Sequence, residues 1–145
     1  MLKNRAYSNG TRYYTTAECF LFFLSRFLSA CSDPEVQQRL RGLLQERLKE
    51  RIGAPGDSLA LAMRIIACRA VDLDDPLDMQ TLLTLQCSDG GWEIGWVYKL
   101  VAAGTAIGNR GLCTALALDA IAPHPKRQHS NGINGSNGTN LANGH

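Results

Sequence analysis

The chain has 145 residues, 45% of them apolar, with a formal net charge of +2. That is enough for one domain with a modest core, and too little charge to draw a nucleic acid or another polyanion. The most apolar run, Cys19–Leu28, is interrupted by Ser25 and Arg26 and does not suit a membrane span. The five cysteines, Cys19, Cys31, Cys68, Cys87 and Cys113, form no Cys-x-x-Cys pair and follow no signal peptide. They read as small buried thiols in a reducing, cytoplasmic compartment.

Residues 1–12 are polar and read as a segment ahead of the folded part, with Asn9-Gly10 marking a turn. A first helix is expected over Ala17–Ala30, capped by Thr15 or Thr16, with Glu18 in its first turn. Phe20, Leu21, Phe23, Leu24, Phe27 and Leu28 recur at helical spacing, and Phe22 fills part of the remaining face. Such a helix, apolar almost all round, needs protein on both sides. Asp33-Pro34 starts a second helix, Pro34–Ile52. Its stripe of Val36, Leu40, Leu43, Leu44, Leu48 and Ile52 opposes a solvated face, where basic residues alternate with Glu46 and Glu50. Gly53-Ala54-Pro55-Gly56 stops it, and Asp57 or Ser58 caps a mostly buried third helix, Leu59–Ala70.

Asp72-Leu73-Asp74-Asp75-Pro76 opens a fourth helix, Pro76–Gln86, with Leu77, Leu82, Leu83 and Leu85. The chain then breaks at Asp89-Gly90-Gly91, since glycine alone takes positive φ without steric cost. Trp92 and Trp96 stand four residues apart, which places both indoles on one face of a following helix. Trp96–Gly108 reads as a short helix plus loop. A last helix, Arg110–Ile121, carries Leu112, Ala115, Leu116, Leu118 and Ile121, and Pro123 and Pro125 end it. Residues 123–145 are rich in Asn and Gly and are expected to be disordered.

The segments Thr15–Leu28, Asp57–Ala70 and Arg110–Ile121 thus read as buried, and Pro34–Ile52 and Pro76–Gln86 as their half-wet partners. The pair repeats at roughly 40–50 residues, the spacing of αα-repeat proteins. The expected class is all-α, with αα-hairpin repeats over residues 13–122. The first helix lacks the polar outer face of a capping repeat. This predicts one arc of a larger ring or solenoid, either a fragment or part of a complex.

Gln86-Cys87-Ser88-Asp89-Gly90-Gly91-Trp92 resembles the QW motif of class II terpene cyclases, the squalene–hopene cyclase family. Three further stretches are similar to the C-terminal end of fungal cyclase-like proteins of secondary metabolism, some of which carry a dehalogenase-like domain upstream. They are Tyr-Tyr-Thr-Thr-x-x-x-Phe-Leu at 13–21, Asp-Gly-Gly-Trp-Glu at 89–93 and Gly-Asn-Arg-Gly-Leu at 108–112. The resemblance implies that the arc is part of an (α/α) toroid of inner and outer helices. It gives Gln86, Gly91 and Trp92 a structural role, the glutamine amide lying on the indole face and the tryptophan opening the next helix.

The resemblance also implies proton-initiated cyclisation of a prenyl diphosphate or another isoprenoid. Aromatic faces hold carbocations in such a cavity, and Tyr13, Tyr14, Phe20, Phe23, Trp96 and Tyr98 are the candidates here. Each also suits plain core packing. Asp72, Asp74 and Asp75 match the family's Asp-x-Asp-Asp, with Asp74 in the place of the acid. Pro76 stands where the family has Thr or Ser, and Asp75-Pro76 is equally a helix start. Asn109 and Arg110 suit a diphosphate at a helix N-terminus, or a cap and a solvated first turn. No protein metal site is implied, although a bound diphosphate would bring Mg2+. An upstream domain or partner chain would complete the toroid. Two other readings stand beside this one. A non-catalytic helical module would keep the fold for assembly or isoprenoid binding. A prenyltransferase-like subunit would need a zinc site of Asp, Cys and His, and His124, His129 and His145 all lie at or beyond the end of the last helix.

Overall fold

The computed structural model describes residues 5–8, 11–100 and 104–123. The order is β1 (Arg5–Ser8), β2 (Thr11–Thr15), α1 (Ala17–Ala30), α2 (Pro34–Lys49), α3 (Ser58–Ala70), α4 (Pro76–Thr84), β3 (Trp96–Leu100), β4 (Thr105–Gly108) and α5 (Arg110–Ile121). Each helix begins at a side-chain cap. Thr16 accepts from Cys19 N, Asp33 from Glu35 N and Val36 N, Asp57 from Ala60 N, Asp75 from Asp78 N, and Asn109 from Leu112 N. These side chains satisfy amides that the first turn leaves unpaired.

α3 lies at the centre, with all eleven residues Ser58–Cys68 buried. α1 and α5 flank it, α2 packs against α1 and α3, and α4 packs against α3 and α5. The core forms along α3. Leu61, Ala62, Ile65 and Ile66 meet Leu82, Trp92, Ala117 and Ala120. Ala67 and Cys68 meet Leu21, Leu28, Leu44, Leu48 and Val71. Leu59 and Met63 meet Cys19 and Cys113. Arg69, at the end of α3, donates to the carbonyls of Asp119 and Ala120 and so closes the last turn of α5.

The structure departs from the all-α expectation. A four-stranded antiparallel sheet, in the order β1-β2-β3-β4, joins the N-terminal segment to the region before α5. Trp96–Gly108, expected to be a short helix plus loop, supplies β3 and β4. Trp96, Val97 and Tyr98 favour the pleated surface, and Tyr13–Thr15 pair with Tyr98–Leu100 across more than eighty residues of chain. Helical spacing of two tryptophans carries no trace of so distant a partner. The segment read as merely polar, residues 1–12, contributes β1 and the start of β2. The register of Ser8 with Thr11 is the separation that an Asn-Gly hairpin signal predicts.

The burial pattern also departs from expectation, since only α3 is covered on all sides. α1 exposes Phe20, Phe23 and Phe27 (40%, 60% and 54%), and α5 exposes Leu112 and Leu118. Both helices have one neighbour layer here rather than two. α4 ends at Thr84, two residues earlier than expected, because Gln86 pairs with Trp92 as an isolated β-bridge. Of the tail, only Pro123 is described, and the expectation for the rest lies outside the described residues. Among the described residues, no helix is long and apolar enough to cross a membrane.

Candidate functional site

The Gln86–Trp92 corner is a tight hairpin, not a helix-turn-helix junction. Gly90 N donates to Cys87 O (2.9 Å), and Cys87 N donates to Gly91 O (2.8 Å). With Gly90 at φ 84°, this is a four-residue turn closed by a left-handed residue, a conformation that glycine takes freely. The Gln86 amide donates to Gly90 O at 2.9 Å, so it holds the turn. Trp92 is fully buried. Its indole N–H reaches Leu82 O in the last turn of α4 (2.8 Å), and its backbone N–H reaches Thr114 Oγ1 on α5 (3.2 Å). One side chain therefore ties α3, α4 and α5 together, but it opens a strand-bearing loop rather than a helix.

The structure brings Arg110 to this corner. Its Nη2 lies 2.7 Å from both carboxylate oxygens of Asp89, whose Oδ1 also accepts from Gly91 N (3.1 Å). The Arg110 hydrogen bond and the Gly91 amide together hold the Asp89 carboxyl below its ordinary range. Gly91 lets this pair close down, since a Cβ there would stand 3.0 Å from Arg110 Nη2 and 3.2 Å from Thr114 Oγ1. Asn109 caps α5. The two candidate anion-binding residues thus sit at the corner, with the guanidinium already engaged by a carboxylate.

The aspartates of the α3–α4 link separate into three environments. Asp72 has φ 59°, which asparagine and aspartate tolerate better than most residues, and pairs with Arg41 at 2.8 Å. Asp74 is exposed. Asp75 is 8% exposed and its Oδ1 caps α4 through Asp78 N at 3.1 Å. Burial first, and then the neighbouring Asp78 carboxyl, push the Asp75 acid up to about 7.

Beneath this link lies a buried polar cluster that the sequence reading did not single out. Arg64, on α3 and with no exposed surface, holds Asp78 through Nε (2.5 Å) and Nη2 (3.0 Å), Glu18 through Nη1 (3.1 Å), and Ala54 O (2.6 Å). Arg51 closes on the same Glu18 oxygen, and Gly53 N donates to Asp78 (3.1 Å). Burial opposes the charge on Asp78, but Arg64 and the surrounding donors outweigh it and keep its pKa below the ordinary carboxylate range. The signal was present as Arg64 in the middle of an apolar helix, where a buried cation demands a counter-ion.

The aromatic candidates fall in two places. Tyr13, Tyr14, Trp96 and Tyr98 belong to the β2–β3 part of the sheet, where Thr15 faces Tyr98 in register and Tyr14 faces Lys99. Asp57, the cap of α3, also accepts from Trp96 N (3.2 Å) and so sets where β3 begins. Phe20 and Phe23 lie on the exposed face of α1. Among the described residues, no three His, Cys, Asp or Glu side chains converge on one point.

The chain is 47% identical over 131 residues to drimenol cyclase drtB of Aspergillus calidoustus, a match that covers 90% of this chain and 25% of that protein. It is thus similar to a fungal terpene cyclase along almost its whole length, and spans about a quarter of the length of that relative. No family model matches the chain, and no solved structure does.

Proposed function

We propose that this chain is a terpene cyclase-like protein or a fragment of one, which closes rings in a prenyl diphosphate or another isoprenoid by proton-initiated cyclisation in secondary metabolism. The observation that carries the reading is the 47% identity to drimenol cyclase across 90% of the chain. In this reaction class an acid protonates an alkene, π faces hold the cation and the cavity excludes water. Asp74 is the acid candidate by its place in the Asp-x-Asp-Asp stretch, and Asp72 is paired and Asp75 spent on a cap. Tyr13, Tyr14, Trp96 and Tyr98 are the candidates for the aromatic wall. Asn109 and Arg110 would take a diphosphate if it displaced Asp89 from the guanidinium. Any Mg2+ would arrive with that diphosphate.

The reading includes an upstream domain or partner chain that completes an (α/α) toroid around the substrate. The quarter-length match to the relative supports this, as do the uncovered phenylalanines of α1 and leucines of α5. A cytoplasmic setting suits the buried free thiols of Cys19, Cys68 and Cys113.

A second reading, a non-catalytic helical module used for assembly or isoprenoid binding, is favoured by one observation. Two of the three candidate acids, Asp72 and Asp75, have structural partners. Incubation with farnesyl and geranylgeranyl diphosphate, alone and with the product of the neighbouring gene, separates the two. A cyclised product by gas chromatography–mass spectrometry that disappears in Asp74→Asn supports the first reading with this acid. Product that survives Asp74→Asn but is lost with an upstream acid variant moves the acid elsewhere. No product in any combination leaves the module.

A further inference from the structure

The junction among α1, α3 and α4 holds three carboxyl groups, Glu18, Asp75 and Asp78, against two guanidinium groups, Arg51 and Arg64. Glu18, Arg64, Asp75 and Asp78 are all buried, so water cannot neutralise the excess carboxylate. Arg64 spends its donors on Asp78, Glu18 and Ala54 O, and none of those hydrogen bonds goes to Asp75. The Asp75 carboxyl receives Asp78 N on Oδ1 (3.1 Å), whereas its Oδ2 is buried and has no hydrogen-bond partner among the described residues. An orphaned buried acceptor costs its full desolvation. Next to a second carboxylate, a proton converts it into a donor and removes both the orphan and the extra charge.

We infer that Asp75 and Asp78 share one proton as a carboxylic acid–carboxylate pair, and that this proton makes the packing of α4 on α3 depend on pH. The groups that act on Asp75 are Asp78 on its own helix and Arg64 on α3, with the Cys68 thiol of α3 beside it. Glu18 of α1 and Arg51, in the turn after α2, act through Arg64. Cys68 offers no compensating charge, because burial first and Asp75 next push its thiol up to about 12. Burial and the Asp78 carboxyl raise the Asp75 acid to about 7, from a value of 3.8 without those neighbours.

The direction of the effect follows. Between about pH 4 and pH 7 the folded chain keeps a proton that the unfolded chain has lost, so stability falls as pH rises. Above that window both states are ionised at Asp75 and the loss is complete. Below it both are protonated, so the stabilisation is fully present and no longer changes with pH.

Thermal and urea unfolding of the wild type and Asp75→Asn across this window tests the inference. Asparagine keeps the capping oxygen and supplies an N–H in place of the shared proton. The wild-type unfolding constant is expected to rise by up to about tenfold per pH unit inside the window, with Asp75→Asn markedly flatter. Equal slopes in the two proteins would overturn the shared proton. If Asp75→Asn does not fold, carbon-13 spectra of aspartate-labelled wild type decide the question. One carboxyl titrating near neutrality supports the pair, whereas all aspartates titrating in the ordinary acidic range rule it out.

Discussion

The indole N–H of Trp92 donates to the carbonyl of Leu82 at 2.8 Å, so a loop residue closes the C-terminal turn of α4 from inside the core. The same ring packs with Leu61, Ile65 and Ala117 from α3 and α5. Trp92→Phe keeps most of the apolar contact and removes the donor, at a cost of about 1–2 kcal/mol. Trp92→Ala removes both, at about 3–5 kcal/mol. Urea denaturation followed by circular dichroism should rank the two in that order, and a cost for Trp92→Ala no larger than for Trp92→Phe would show that the ring does not hold the helices together.

Among the described residues, Arg64 is the single cation that reaches both Asp78 and Glu18 inside the core. Arg64→Met is expected to cost about 3–5 kcal/mol, because it strands a buried carboxylate. Adding Asp78→Leu should recover part of that loss, since an apolar pair can replace a buried ion pair. Glu18 keeps Arg51 in either variant. Chemical denaturation of the two single variants and the double variant makes the comparison, and strictly additive losses would contradict it.

Acid should act at Asp78 in the opposite sense to its action at Asp75. Its carboxyl is held below the ordinary range in the folded chain, so it contributes stability that is present above the unfolded value of about 4. That stability is lost as pH falls through the folded value. Asp78→Asn is expected to unfold with less dependence on pH below about pH 4 than the wild type. Melting temperatures taken through that range would show it.

Tyr98 sits in a strand with neighbours on both sides, Thr15 of β2 and Ile107 of β4. Proline there removes a ladder donor in the interior of a sheet, where proline is not tolerated. Tyr98→Pro should raise amide hydrogen exchange in residues 11–15 and 105–108 while leaving α3 protected. Unchanged exchange in those strands would rule out the pairing of β3 with β2 and β4.

Gly90 takes φ 84° with open space around its Cα, so the cost of Gly90→Ala is conformational alone. It is expected at about 1–2 kcal/mol, readable as a shift in the thermal midpoint. A substitution at this position without effect would mean that the turn is free to adopt another form.

Much of the helical framework was legible in the chain. Thr16, Asp33, Asp57, Asp75 and Asn109 announce the helix starts, because capping and the proline that follows Asp33 or Asp75 are local effects. α1 and α5 run over the residues that their periodicity predicts. The corner was legible as a turn, from Asp89-Gly90-Gly91, but not as a hairpin. Its closing partners, Leu82, Thr114 and Arg110, come from separate helices. The candidate acids were legible as residue types, but their differences were not. Asp72, Asp74 and Asp75 are neighbours in the chain, yet one pairs with Arg41, one faces solvent and one is buried beside Asp78.

Sequence by itself determined where the helices begin, which faces are apolar and where the chain must turn, since these depend on neighbours within a few residues. Tertiary structure alone decided that Trp96–Leu100 is a strand, because its partner Tyr13–Thr15 lies at the other end of the chain. It also decided that Arg64 is matched by Glu18 and Asp78, and that one carboxyl in that cluster has no cation left to meet. Charge balance in a core is a property of three-dimensional neighbourhoods, and no spacing along the chain encodes it.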